Sequence, residues 1–404
     1  MTLTWKRILQ RCGLVYVFSR LCVLLGAGVV AAELRHDVNL VVEKFPDPTF
    51  IDPDYAAKAI PGSGLRLAAD VLMSWDGVWY SRIVENGYPR FVRPNVTYDV
   101  ADARAAFFPA YPMLVRAVDR VLPGGVAAAS LAVNLVLGAL AVLLTGLLAR
   151  ELFGDRVAGR TMVLMCLFPG AFVLSFAYTE ALLIAVAAGC LLLLYRRQWL
   201  GAGVLAAIGT ATRPNGVALI AACAVAAVIA VRRDRQWRAL IAVLLAPIGF
   251  VGFQLWLGRH TGEAGVWFRV QTEAWGEGAS FGYTALRRSF NAVIHPFSSP
   301  TNTVTVATVV AMLALLWFLW QHRLPWPMMT YVAAVLALML LPATVTARPR
   351  FLYTAFPLFI SAAVWFERRA ETHPRSEVWA YTLAASTAGL VWLVALFGVF
   401  GAIP

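Results

Sequence analysis

The sequence predicts an all-α polytopic membrane protein. Of its 404 residues 60% are hydrophobic and 14% are charged, whereas soluble domains usually carry about 25% charged residues. Apolar runs long enough for membrane helices recur along the whole chain, which indicates a single transmembrane domain over 1–404. These runs are continuous and do not alternate with polar residues, so a transmembrane β-barrel is excluded.

Eleven apolar segments are predicted to cross the bilayer. The first has the basic start of a signal peptide, but its apolar stretch is too long and no clear cleavage site follows, so a retained helix is expected. The fifth and sixth are short, and one helix kinked at Pro214 is the competing interpretation. The predicted spans are 14–32, 126–148, 160–177, 180–195, 199–212, 216–231, 238–257, 302–320, 325–342, 351–366 and 378–402.

Arginine placement favours two separate short spans. Arg196 and Arg197 precede the fifth span, and Arg232 and Arg233 follow the sixth, so two crossings return both clusters to one side of the membrane. With the N-terminus in the cytoplasm, the positive-inside rule is satisfied along the chain. The net charge of +12 is therefore explained by topology, and nucleic acid is not an expected partner.

Two long loops then lie on the extracytoplasmic side. The first covers 33–125 and is predicted to bear amphipathic helices, one of which repeats apolar residues from Leu65 to Leu72 and is expected to lie on the membrane surface. The second covers 258–301. Arg20 lies inside the first span, where a charge costs at least about 2.5 kcal/mol, so it is expected to face the bundle interior.

The first loop carries the strongest chemical motif, an aspartate among aromatic residues. A partly desolvated carboxylate accepts a proton from a hydroxyl more readily, and the indole rings offer platforms for a sugar or a lipid headgroup. The alternative is an interfacial aromatic belt with the aspartate as a helix cap. The motif consists of Trp75, Asp76, Trp79 and Tyr80, followed by Glu85 and Tyr88.

Charged residues also occupy the short outer turns. Glu180 follows Thr179, which would cap the helix, so capping explains the acid unless it faces a cavity. Arg213 with Asn215 lies between the fifth and sixth spans, and Arg348 and Arg350 precede the tenth. Each arginine alone is explained by snorkelling, but together they fit a phosphate, which guanidinium groups bind with two parallel hydrogen bonds. No metal-binding pattern is found, and the five cysteines indicate no disulfide framework.

Five motifs, in order along the chain, resemble one known family. They are WDGVWYSRIVENGYP, FFPAYPMLVR, AYTEALL, ATRPNG and RPRFLYTAFPLF. This set is similar to the PIG-V type mannosyltransferases of the GT-C glycosyltransferase superfamily. The resemblance implies a GT-C transmembrane helix bundle and an inverting enzyme that takes mannose from a polyprenyl-phosphate-mannose donor on the non-cytoplasmic face. It further implies that Asp76 is the catalytic base.

The expected reaction needs a lipid-linked sugar and no cofactor or metal. Arg213, Arg350 and Arg348 would bind the donor phosphate, and a glycolipid or glycan would be the acceptor. Residues expected to contact substrate are Trp75, Trp79, Tyr80, Glu85, Tyr88, Glu180 and Asn215.

Three alternatives stay open. A different polyprenyl-phosphate sugar, such as arabinofuranose, would fit the same residues, and a lipid flippase or transporter is the alternative from another class. The composition, rich in Ala, Val and Arg, indicates an actinobacterial member in the plasma membrane, with the endoplasmic reticulum as the other location.

Overall fold

The computed structural model describes residues 5–36, 64–344, 346–399 and 401–402. The segment 37–63, part of the first predicted outer loop, lies outside the described residues. Within the described part the chain is helical, and its one β-bridge joins Ala279 to Pro342.

Long apolar helices make this a multi-pass membrane protein. Six helical segments of the described chain are long and apolar enough to cross a bilayer, namely Trp5–Ala32, Gly125–Phe153, Pro214–Asp234, Trp237–Thr261, Pro300–Gln321 and Val378–Gly398. Three shorter apolar helices accompany them, Glu180–Tyr195, Trp199–Thr210 and Trp326–Leu340.

The helices follow one another in this order. The N-terminal half contains α1 (Trp5–His36), α2 (Gly64–Leu72), α3 (Asp76–Asn86), α4 (Ala110–Asp119), α5 (Gly125–Phe153), α6 (Asp155–Leu167), α7 (Glu180–Tyr195) and α8 (Trp199–Thr210). The C-terminal half contains α9 (Ala218–Asp234), α10 (Leu240–Leu245), α11 (Ile248–Thr261), α12 (Val266–Trp275), α13 (Tyr283–Ile294), α14 (Pro300–Gln321), α15 (Trp326–Leu340), α16 (Pro349–Thr354), α17 (Pro357–Thr372) and α18 (Val378–Gly398).

Helix occupies each of the eleven predicted spans, but three spans are broken. The third continues after α6 as a 3₁₀ segment, Pro169–Leu174, the seventh is divided between α10 and α11, and the tenth between α16 and α17. A proline begins the second piece of the third and tenth spans and directly precedes the second piece of the seventh, because a proline cannot donate the backbone hydrogen bond that would continue the helix. The breaks in the third and tenth spans place irregular backbone beside the polar residues described below.

The chain reverses between α8 and α9, so the single kinked helix is excluded. A Cβ added to Gly216 would lie 2.1 Å from the carbonyl oxygen of Gly209, whereas seven residues of continuous helix span about 10 Å. Arg197 before α8 also pairs with Asp234 at the end of α9, with 2.7 Å between Nη1 and Oδ2. The two short spans therefore form a hairpin, as the arginine pattern predicts.

Ion pairs connect the basic ends of several helices at the end of the bundle where α8 begins and α9 ends. Arg196 pairs with Glu151, and the Arg197 pair lies beside it in sequence. Further pairs join Arg150 to Asp155 at 2.6 Å and Arg160 to Glu367 at 2.6 Å. The opposite end carries the long loops.

Protein covers the apolar face of the amphipathic helix α2, so the expectation that this face binds the membrane surface is wrong. Its apolar residues Leu67, Ala68, Val71 and Leu72 are buried, and α2 packs against α1. Protein contacts cover this apolar stripe, and α2 thereby becomes a support for the start of α3.

Arg20 faces the interior of the bundle, as expected. Its Nη1 donates hydrogen bonds to the Ala171 carbonyl at 3.0 Å and to Ser175 Oγ at 2.7 Å. The arginine therefore satisfies polar groups of the irregular 3₁₀ segment, which gives it a structural role.

The two outer loops pack together into one layer, which we call the outer cap, formed by residues 92–108 and α12. Trp267 donates a hydrogen bond from Nε1 to the Ala106 carbonyl at 2.9 Å, and its ring packs against Phe108. Arg269 binds Glu263 and Glu273 and also donates to the carbonyls of residues 92 and 93. The outer cap covers part of α3, the helix on which the site described next begins.

Candidate functional site

The backbone turns sharply just before Asp76. Trp75 has φ 58° and ψ −120°, a left-handed conformation that costs a non-glycine residue of order 1–3 kcal/mol. Its indole Nε1 donates a hydrogen bond at 3.0 Å to the Phe397 carbonyl of α18, and Gly77 leaves room for Ala177 to approach. Packing from distant parts of the chain thus fixes Asp76 as the first residue of α3.

Asp76 forms an ion pair with Arg350. Arg350 Nη1 lies 2.6 Å from Asp76 Oδ2, although the two residues are 274 positions apart in sequence. The arginine side chain is 7% exposed and the aspartate 24% exposed, so the carboxylate is the member of the pair that a ligand can reach. Its second oxygen, Oδ1, is not part of this pair. The Arg350 guanidinium also lies 5.6 Å from the ring centroid of Tyr178 and 4.8 Å from that of Phe351.

A second buried pair joins Arg213 to Glu180. Glu180 is fully buried, and the same arginine donates a hydrogen bond to Thr179 Oγ1 at 3.3 Å. Thr179 makes no side-chain cap on α7, so helix capping does not explain this turn. The pair joins the hairpin turn of α8 and α9 to the start of α7. Both Arg213 and Arg350 therefore meet carboxylates of the protein where the sequence interpretation expects the donor phosphate.

Arg348 has no carboxylate partner among the described residues. It is 1% exposed, and its Nη1 lies 3.4 Å from Thr305 Oγ1 while its Nε has no hydrogen-bond partner. Burial and the positive charges of Arg288 and Arg350 lower the pKa of Arg348. Arg288 Nη1 is likewise buried without a partner. An anion placed between these two cations would offset their repulsion.

An aromatic cluster continues from Asp76 along α3. The Trp79 ring stacks on Phe107 with 5.9 Å between centroids and meets Trp275 edge-on at 6.1 Å. Tyr80 is buried against Phe107 and donates a hydrogen bond to Thr179 Oγ1 at 3.5 Å. The cluster joins α3 to the outer cap and to the second ion pair.

The structure separates some residues that the sequence interpretation groups together. Glu85 is exposed, nine positions after Asp76, which puts it on the opposite face of α3. Tyr88 lies beyond the end of the helix, where its hydroxyl donates to the Phe107 carbonyl at 2.8 Å. Asn215 is half-buried in the hairpin turn. These three do not join the ion pairs.

Sequence reasoning missed two members of the cluster. Tyr178, beside Glu180 in sequence, is fully buried, and burial together with the charge of Asp76 raises its pKa. Only its position beside the acid could have identified it. Arg288 stands on α13 with no motif around it, so its approach to Arg348 depends on the packing of α13 against α14. Among the described residues, no group of His, Cys, Asp or Glu has the arrangement of a metal site.

No known protein family and no curated protein matches this sequence. Among solved structures it is similar to ArnT from Cupriavidus metallidurans bound to undecaprenyl phosphate, with 13% identity and a TM-score of 0.50 over 80% of this chain and 72% of ArnT. Apo ArnT gives 14% identity and a TM-score of 0.50 over 83% and 76% of the two chains.

A further similarity is to an oligosaccharyltransferase from Archaeoglobus fulgidus in complex with zinc and sulfate. It has 15% identity and a TM-score of 0.43 over 83% of this chain and 49% of the other, so this chain matches about half its length. The likeness to ArnT covers most of both chains. Together with the helical architecture it shows that this chain shares the fold of ArnT.

Proposed function

We propose that the protein is an inverting glycosyltransferase that moves mannose from polyprenyl-phosphate-mannose to a glycolipid or glycan acceptor on the extracytoplasmic face of the plasma membrane. The observation that carries the proposal is the ion pair of one reachable carboxylate, Asp76, with the buried Arg350, close to which the buried Arg348 lies without a carboxylate partner among the described residues, on a GT-C fold. The reaction needs a base for a hydroxyl and positive charge for a phosphate, and this cluster supplies both.

Asp76 serves as the base. Oδ1, or Oδ2 once it leaves Arg350, takes the proton of the acceptor hydroxyl, and the acceptor oxygen attacks the anomeric carbon. The bond from that carbon to the phosphate oxygen breaks, so one displacement inverts the configuration. Arg350 holds the carboxylate in place before the acceptor arrives.

Arg348 takes the leaving phosphate. Its guanidinium is buried beside Arg288 and has only a hydroxyl partner, so negative charge that develops on the phosphate relieves the repulsion between the two cations. Arg350 is shared between Asp76 and the phosphate. Arg213 is held by Glu180 and contributes through the field of the cluster.

The charges of the helix ends support the extracytoplasmic location. The basic residues and their ion pairs gather at the end of the bundle opposite Asp76, and such ends face the cytoplasm. In this orientation the site uses a donor whose sugar lies on the extracytoplasmic side of the membrane.

A transfer assay with two donors tests the proposal. Membranes containing the protein are expected to transfer radiolabelled mannose from polyprenyl-phosphate-mannose, with at least tenfold less donor binding in Arg348→Gln because a charge-assisted contact is lost. If transfer occurs only from a polyprenyl-phosphate arabinofuranose, the proposed type of reaction is correct and the transferred sugar is arabinofuranose instead of mannose. Movement of the lipid without formation of a glycosidic bond would establish a flippase and contradict the proposal.

A further inference from the structure

A carboxylate of the second outer loop binds the chain shortly before Arg348. Glu277 Oε1 accepts hydrogen bonds from the backbone N–H groups of Ala343 and Thr344 at 2.9 and 3.1 Å, and its Oε2 accepts one from the Thr344 hydroxyl. Both partners lie in the loop between α15 and α16, 66 and 67 positions further along the chain. These bonds hold the loop firmly, because a hydrogen bond to an ionised group is roughly twice as strong as one between neutral groups.

Backbone contacts reinforce this attachment. Ser280 donates from its backbone N–H to the Leu341 carbonyl at 2.7 Å and from its hydroxyl to the Pro342 carbonyl at 3.0 Å. Ala279 forms the β-bridge to Pro342. The chain over 277–282 therefore runs beside the start of the α15–α16 loop and restricts its movement.

The other end of the α15–α16 loop is buried and sharply bent. The Thr346 hydroxyl and the Ala347 N–H both donate to the Met339 carbonyl, at 3.0 and 3.4 Å. Ala347 has φ 49°, a left-handed conformation that is unfavourable for a residue with a Cβ, so the surrounding chain has to hold it in place. The next residue is Arg348, which is 1% exposed. The position of the Arg348 guanidinium therefore depends on how this loop is held.

The charge of Glu277 also acts on the cations of the site. Burial lowers the pKa of Arg288, and the negative charge of Glu277 opposes this shift. Arg288 in turn contributes to the lowered pKa of Arg348. Glu277 thus has two ways to affect the donor site, namely its hydrogen bonds to the α15–α16 loop and its charge, and an experiment has to separate them.

Building on the proposed function, we infer that Glu277 is a positioning residue for Arg348. Its three hydrogen bonds hold the α15–α16 loop in the conformation that presents the Arg348 guanidinium to the donor phosphate. Without them the unfavourable turn at Ala347 relaxes, and the guanidinium leaves the position in which it binds the phosphate. The second outer loop therefore belongs to the donor site, although Glu277 lies outside all five motifs of the sequence.

Two substitutions separate the hydrogen bonds from the charge. Glu277→Ala removes both. Glu277→Gln removes only the charge, since its amide oxygen still accepts from the two backbone N–H groups and its amide nitrogen donates to the Thr344 hydroxyl. Glu273→Ala is the matched control, because Glu273 also accepts a backbone N–H, from Val96 at 3.0 Å, but holds the outer cap instead of the loop before Arg348.

The first measurement is the kinetics of transfer in membranes with matched amounts of protein. Glu277→Ala is expected to raise the donor KM about tenfold and to leave the acceptor KM unchanged. The donor KM of Glu277→Gln should stay within about threefold of the wild type, since its hydrogen bonds are weaker but retained. Glu273→Ala should have the donor KM of the wild type.

The second measurement is the affinity of the purified full-length protein for farnesyl phosphate, a short polyprenyl phosphate. The variants are expected to follow the same order as for the donor KM. In the double variant Glu277→Ala/Arg348→Gln the affinity should equal that of Arg348→Gln alone, because the residue that Glu277 positions is no longer there. If Glu277→Ala does not fold, Thr344→Val removes one of the three bonds and should weaken binding about threefold, again only when Arg348 is present.

Equal farnesyl phosphate affinities of the wild type and Glu277→Ala overturn the inference. A loss of affinity that persists in the Arg348→Gln background, or that is equally large in Glu277→Gln, also overturns it, because Glu277 would then act by a general structural effect or by its charge. If the affinities follow the expected order in a protein that transfers no mannose, only the proposed function is refuted.

Discussion

At the scale of single residues, Asp76 is the side chain on which the proposed chemistry depends. Asp76→Asn retains the shape and removes the proton acceptor, so we expect folding to be preserved and transfer to fall by about a hundredfold or more. The measurement is the initial rate of mannose transfer in membranes with matched amounts of protein. Asp99→Asn, at an exposed position of the first loop, is the control with unchanged rate. A wild-type rate in Asp76→Asn would remove Asp76 from the mechanism.

The buried pair of Arg213 and Glu180 belongs to the same scale but concerns stability. Glu180→Ala leaves Arg213 buried without its counter-ion, which costs about 3–5 kcal/mol, so the thermal unfolding temperature in detergent should fall. The double variant Glu180→Gln/Arg213→Gln removes both charges and should recover part of the loss. Equal unfolding temperatures for Glu180→Ala and the wild type would show that the pair is not buried in solution.

The sequence predicts where charged residues lie along the chain better than it predicts which residues their side chains contact. The sequence indicates that Arg213 and Arg350 meet anions supplied from elsewhere, because no acid stands within a turn of either. Contacts between residues 274 positions apart decide that one of these anions is Asp76. Glu85 faces away from Asp76 for a local reason, since nine residues of helix place it on the opposite face of α3.

At the scale of elements, Arg269 joins the two outer loops. Its hydrogen bond lowers the pKa of Glu263, so the stabilisation from this contact is present above the unfolded pKa of about 4.3 and is lost as the pH falls through the lower folded value. Glu263 is 40% exposed, which makes the effect modest. We expect hydrogen exchange of residues 92–106, corrected for its intrinsic pH dependence, to increase below about pH 4.

Arg269→Gln provides the comparison for this pH effect. The variant lacks the contact at every pH, so its outer cap should exchange faster at pH 7 and should gain little on acidification. If both proteins show the same increase, Glu263 does not control the outer cap.

Helix boundaries could be predicted where apolar runs end at arginines or glycines, and less well where prolines interrupt them. The hairpin of α8 and α9 follows from the arginine pattern, since a charge cluster cannot remain in the bilayer. The burial of α2 could not be derived, because an amphipathic stripe fits a lipid surface and a protein surface equally well. Only the presence of α1 beside it decides between the two.

At the scale of the whole molecule, the proposed orientation predicts which exposed residues lie on each side of the membrane. In a cysteine-free background, single cysteines at the exposed positions Thr97 and Ser298 should react with an impermeant thiol reagent added to intact cells. Cysteines at Gln198 and His373, also exposed, should react only after the membrane is permeabilised. The reverse labelling pattern would place Asp76 in the cytoplasm and exclude the proposed orientation.

The hydrogen bond from Trp75 to the Phe397 carbonyl bears on how the protein is made. Residue 75 leaves the ribosome long before Phe397 of α18, whose carbonyl fixes its indole ring. During synthesis the hydrogen bond that holds the turn before Asp76 therefore forms only after α18 has inserted. A chain that lacks α18 lacks the acceptor of this bond, so we expect it to hold Asp76 less firmly and to transfer less sugar, although Arg350 is already present.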